Sequence, residues 1–254
     1  MTDHDHRHHD DDALFAASLA PTLRVASWIV VVWFPLFAIL FFGVLPILGL
    51  DLSRFGDPAV TLPFFATYPV LIRLLFVGNI VTIVAAGVVL LGVAWGGRAR
   101  APQRSLLAAL LGSVGWFLYL LGEIADATAY VWLPFTYTSA TPSATLSATT
   151  AAETAFVTMQ TFGRSAHTFG YVALGLAFML LTGVLRTLSL RRRWLTTTGT
   201  VVALAGTALG AVELFVVSQR GDAGASGVVF SALFVAFGLG LVGWHIGILR
   251  ELRK

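Results

Sequence analysis

Six long apolar runs, at roughly 25–50, 65–96, 105–128, 161–186, 195–218 and 227–249, dominate this chain of 254 residues. Each is near or above the ~20 residues that a helix needs to cross a bilayer. Hydrocarbon offers no partner to a backbone N–H or C=O, so an apolar segment of that length must satisfy its own hydrogen bonds, as a helix does. Charge is correspondingly scarce. Asp, Glu, Lys and Arg make up 11% of the residues, against about a quarter in a soluble domain. The mean hydropathy is +0.84. The predicted fold is all-α: a polytopic membrane bundle of six transmembrane helices.

The connections between runs alternate in character. One set carries Arg98, Arg100 and Arg104, then Arg186 and Arg191 to Arg193, then Arg250, Arg253 and Lys254. The other carries DLSRFGDPAVTLP, a Ser/Thr/Ala-rich stretch from Ser139 to Thr154, and QRGDAGAS. Basic loops stay on the cytoplasmic side, so this pattern predicts both termini inside, in a prokaryotic cell (cytoplasmic) membrane. The formal charge of +3 does not point to nucleic acid, because the arginines sit singly or in short groups between spans. The acidic start, MTDHDHRHHDDDALF, lacks the basic leader of a secretory signal, so the first run reads as a retained helix.

These boundaries divide the chain into a disordered His/Asp-rich cytoplasmic tail (1–22), a first membrane half of three helices (23–138), a flexible Ser/Thr/Ala-rich external loop (139–158) and a second half of three helices (159–254). GSVGWFLYLLGE from Gly112 echoes GLVGWHIGILRE from Gly240. Inverted three-helix repeats leave such traces, but so does the small alphabet of membrane helices, which accounts for this one better. Gly92/Gly96, Gly206/Gly210 and Gly243/Gly247 have the spacing that lets helix backbones approach closely.

The polar residues can be placed by depth, at 1.5 Å per residue from the basic loops. Glu123 lies about 28 Å from Arg104, and Glu213 about 30 Å from Arg193. His167 lies about 28 Å from Arg186, Arg164 about 33 Å, and Arg73 about 37 Å from Arg98. Across a hydrocarbon core about 30 Å thick, these groups fall near one level, at the outer boundary. Asp126 shares a helix face with Glu123, and Arg164 with His167, by their i,i+3 spacing. The candidate site is therefore Arg73, Glu123, Asp126, Arg164, His167 and Glu213.

Ionisable groups within a membrane are expensive and mark function by default, a default that weakens at the interface. Helix ends facing water, or an ion-pair network tying helices together, compete with an outward-facing site. In such a site Arg73 or Arg164 would clamp an anionic group. Glu123, Asp126 or Glu213 would carry a coupling proton, and His167 would titrate near neutrality. Two arginines oppose a divalent metal there. His4, His6, His8 and His9 could hold Zn²⁺ or Ni²⁺ loosely, although such tails are more often solvated and disordered.

Among cofactors, the absence of Cys argues against covalent c-type haem. No lysine lies in a span, which argues against a retinal Schiff base. His245 is about 7 Å from the level of Arg250, too far from His167 for a bis-His haem b within one subunit. No Walker loop or HExxH occurs. The expected partners are the lipid bilayer, a small polar solute or ion, and other membrane subunits. The leading function is binding or transport of that solute or ion. The alternatives are a non-catalytic membrane subunit or assembly partner, and a membrane enzyme acting on a lipid or isoprenoid substrate.

Overall fold

A computed structural model describes residues 18–138, 145–188, 193–217 and 225–253. No strand occurs among the described residues, and six helices are long and apolar enough to cross a membrane. The helices are α1 (Ala20–Ile47), α2 (Pro58–Thr67), α3 (Pro69–Gly97), α4 (Pro102–Tyr137), α5 (Thr145–Leu188), α6 (Arg193–Phe215) and α7 (Ala225–Glu251). All but α2 are spans. Along them Val25, Val32, Ile39, Leu106, Phe117, Phe169, Leu204 and Leu239 are exposed, the outer surface that a bilayer requires.

Proline opens four of these helices. Pro21, Pro58, Pro69 and Pro102 fall in the first turn, where the missing N–H has no intrahelical partner to lose. Asp57 caps α2 by accepting from the Ala59 N–H at 3.0 Å. Two further prolines explain a different feature. In α1 and α4 the bonding widens to i→i−5 over Leu40–Val44 and Thr128–Trp132. Leu45 donates to the Leu40 carbonyl, and Leu133 to that of Thr128. Each donor is followed by proline, Pro46 and Pro134, whose ring would collide with the carbonyl four residues back in a regular helix. The wider turn relieves that collision. A third π-type turn, Glu213–Val217, overlaps the end of α6 and carries the helix on past Phe215 without a proline.

α5 is longer than the expected span beginning at 161. Residues from Thr145 onward, read from sequence as part of a loop, form its first turns. Thr154, Thr158 and Thr161 each donate to the carbonyl four residues earlier at 2.8 Å. Bonded back in this way, the hydroxyls are satisfied within the helix and do not compete for its backbone N–H groups, at a slight cost in helix stability.

The spans close into a ring in chain order. Each packs on the next, and α7 returns to α1. The closest seam runs between α4 and α5, where a division into two halves would fall. Glycines make it: a Cβ on Gly170 would stand 3.1 Å from the Gly115 carbonyl and 3.1 Å from the Tyr119 nitrogen. α5 is the most enclosed span, with 67% of its apolar window buried, and α1 the least, with 11%.

The basic connections meet at one end of the ring. Arg24 on α1 donates to the Leu252 carbonyl beyond α7 at 2.8 Å. Arg250 lies over the Trp194 ring at 5.6 Å, and the Arg104 guanidinium flanks Gly183. At the opposite end the α1–α3 connection folds inward. Phe55 and Phe65 pack on Tyr130 with ring centroids 5.0 and 5.2 Å away, joined by Phe76 and Phe156.

Candidate functional site

Directly beneath that aromatic cap, one helical turn deeper than Tyr130, lie Asp126 and then Glu123. Both project from α4 toward α5. Glycines clear the space for them. A Cβ on Gly163 would stand 2.8 Å from Asp126 Oδ1, and one on Gly122 would collide with the His167 imidazole. Each helix thus offers a glycine where the other offers a polar side chain.

His167 stands between the two carboxylates. Its Nε2 is 4.0 Å from Glu123 Oε1, and its Nδ1 is 3.8 Å from Asp126 Oδ2. Neither contact is closed to hydrogen-bond length. Nε2 is buried and has no hydrogen-bond partner among the described residues. The Tyr119 ring packs on the imidazole at 4.6 Å between centroids, and its hydroxyl meets that of Tyr171 at 3.3 Å. Glu123 is 7% exposed. It accepts a long hydrogen bond from Asn79 Nδ2 at 3.4 Å, while Asn79 Oδ1 accepts from the Trp33 indole at 2.9 Å.

Comparisons with protein-family models, with curated proteins and with solved structures found no match. The site has to be read from its own geometry.

Arg164, a turn beyond His167, reaches the other way and pairs with Glu213 on α6. The pair is lopsided: the Arg164 side chain is 63% exposed and that of Glu213 8%. Polar contacts therefore run at one level from Trp33 on α1 through α3, α4 and α5 to α6. Of the six candidates, Glu123, Asp126 and His167 form one group, and Arg164 with Glu213 an adjacent pair. Arg73 stands apart, exposed, with its guanidinium 5.1 Å from the centre of the Phe135 ring. Its count of about 37 Å already placed it two turns farther out than Glu123. Among the described residues no set of three or more His, Asp or Glu side chains could hold a metal ion. The N-terminal His4, His6, His8 and His9 lie outside the described residues.

Asn79 and Trp33 were not among the sequence candidates. Asn79 is the chain's single asparagine and lies about 28 Å from Arg98, the depth of Glu123 and His167. The depth count would have found it had it included uncharged amides. Trp33 carries no comparable signal among seven tryptophans. His245, near the basic end, is fully buried beside Trp244 and its Nδ1 lies 3.3 Å from Ser27 Oγ.

Proposed function

We propose that this multi-pass membrane protein binds, and carries across or within the bilayer, a small solute or ion whose binding is coupled to a proton held by Glu123, Asp126 and His167. The basic ends lie in the cytoplasm in this reading, so the three groups face the outer half of a prokaryotic cell membrane. The observation that carries it is the open geometry around His167. A network serving only to tie helices would close its contacts at about 2.7–3.2 Å. Here an imidazole sits among two carboxylates at 3.8 and 4.0 Å, with a buried nitrogen left over. Buried polar atoms find partners, and a proton shared on a small closure of these side chains would supply the missing one. Arg164 and Glu213 form the structural part of the level, holding α5 to α6.

An acid/base couple ready for catalysis needs contact at about 2.6–3.2 Å. Glu123 and His167 are wider apart, which favours binding over the lipid-enzyme reading. The assembly-partner reading has one observation on its side: 11% burial of the α1 window leaves an apolar face that another membrane subunit could cover.

Infrared difference spectra of the reconstituted protein across a pH step test the proposal. Carboxyl and imidazole bands should titrate together, and both Glu123→Gln and His167→Gln should abolish the joint change. Independent titrations, unaffected by the partner's replacement, would refute the coupled group.

A further inference from the structure

Between the outer cluster and the basic end the bundle crosses a layer with almost no hydrogen-bonding side chains. No residue has a side-chain hydroxyl, amide or charge over 28–50 on α1, 83–94 on α3, 172–181 on α5, 201–206 on α6 or 232–243 on α7. On α4, Ser113 is exposed, and the Trp116 indole only donates, so it cannot take up a proton and pass it on. The layer is also tightly filled. Val89, Leu174, Phe178, Val202 and Leu241, from four helices, are at most 4% exposed. Counted from Arg98, Arg186, Arg193 and Arg250, they lie about 12–18 Å in, near one level.

Hydroxyl groups resume on each side of it. On α5 the flanking hydroxyls belong to Tyr171 and Thr182, about 16 Å apart along the helix. A narrower gap, about 10 Å, divides Thr200 from Thr207 on α6, and each of these donates to the carbonyl four residues back. A proton relay hands over at hydrogen-bond distance, about 2.5–3.2 Å, and membrane relays are built from chains of Asp, Glu and His. A close-packed apolar core holds few voids larger than a water, and apolar cavities stay dry. The other direction is different. The side chains of Asp126 and His167 keep 22% and 18% of their surface exposed, and Arg164, a turn farther out, 63%. Asp126 lies about 33 Å from Arg104, past a hydrocarbon core about 30 Å thick.

We propose that this apolar layer is a proton barrier, so that Glu123, Asp126 and His167 exchange protons only with the face opposite the basic end. The inference rests on the reading of these three groups as proton-bearing and adds the face that supplies the proton. Their charged and titratable neighbours are Tyr119 and Tyr130 on α4, Arg164 and Tyr171 on α5 and Glu213 on α6, all on that same side of the layer. α1 and α3 contribute the uncharged Trp33 and Asn79. Passage of a solute to the basic end then requires a second arrangement of the helices, in which the layer parts.

Proteoliposomes of the full chain, inserted in both orientations and given an external pH jump, test it. Carboxyl and imidazole infrared bands are followed before the lumen equilibrates. The share of the signal that moves at once should equal the share of molecules inserted with the basic end inside, counted from tryptic fragments. The remainder should move only after a protonophore is added. Passive proton leak, read by a lumenal pH dye, should match that of protein-free vesicles. A complete response without protonophore, or a leak several-fold above the protein-free rate, would overturn the barrier. Bands that titrate separately but still follow one face would count against the coupled group and leave the barrier standing.

Discussion

Replacing Gly175 by alanine probes the α5–α6 seam where it has least freedom to give. The new Cβ would collide with the Thr207 hydroxyl, which a rotamer change could move aside, and would stand 2.6 Å from the Thr207 nitrogen and 2.9 Å from the Ala203 carbonyl oxygen, both backbone atoms of α6. Backbone cannot rotate aside as a side chain can. To bring the closer backbone contact from 2.6 Å to the 3.4 Å of ordinary contact, α6 must retreat by about 0.8 Å. A radial gap of ~0.5–1 Å forfeits about a quarter to a half of a dispersion contact, here at the neighbouring approaches of Gly206 and Gly210 to α5. Overpacking of this kind costs about 1–3 kcal/mol, partly offset by the better helix propensity of alanine, up to about 1 kcal/mol. At about 2–4 °C per kcal/mol for a chain near this length, the melting temperature should fall by up to about 10 °C.

Gly183→Ala, on the same helix, is the control. Its Cβ would meet nothing nearer than an Arg104 guanidinium nitrogen at 3.7 Å, so only the propensity gain remains. Thermal unfolding in one detergent, followed by tryptophan fluorescence, should rank Gly183→Ala at or above wild type and Gly175→Ala below it. Equal melting of the two variants would show that the seam is looser than its geometry implies.

Three further outcomes follow from other parts of the bundle. Asn79→Leu strands both the Trp33 indole and Glu123 Oε2, so it should cost about 1–3 kcal/mol, read as a lower melting temperature, and Trp33→Phe should cost less on the Asn79→Leu background than alone. Arg164→Met leaves Glu213 buried without its partner and should destabilise more than the double change Arg164→Met/Glu213→Met, because an uncompensated buried charge is worse than none; the reverse order of melting temperatures would contradict this. Asp57, held below its ordinary value of 3.8 by hydrogen bonding from Arg54, stabilises the start of α2 only while ionised. Its contribution is complete above pH 3.8 and is lost as pH falls through the lower folded value. Proteolytic accessibility of the α1–α3 connection should thus stay flat from neutral pH to about 4, rise below it in wild type, and be high throughout in Asp57→Ala.

Much of the architecture was legible because a membrane helix is dictated by length and polarity, which the sequence states openly. All six spans appear where the apolar runs lie, to within a few residues at most ends. One exception is the far end of α4, expected near 128 and continuing to Tyr137. The other is α5, since its first turns are Ser, Thr and Ala, and composition alone does not reveal that these residues will continue the helix. The π-type turns before Pro46 and Pro134 were readable in principle from the prolines but not from hydropathy. Depth counting brought Glu123, Asp126 and His167 to one level and could not say which way each side chain turned. That choice rests on Gly122 and Gly163, whose absent side chains make room across the seam. Counting only charges also admitted Arg73, which belongs to the rim, and passed over Asn79, which belongs to the group.

The ring in chain order carries a consequence for biogenesis. As each span leaves the insertion machinery, the neighbour before it is already in the bilayer, so four of the six seams can form before α7 is made. The two that α7 makes must wait, and one of them closes the ring: Ser27 waits for His245, and Phe34 for the groove at Gly238. Until α7 arrives, α1 has only one neighbour and a hydroxyl left to face lipid. A nascent chain stalled before α7 should therefore present quality-control proteases with an open-sided bundle whose weakest member is its first helix.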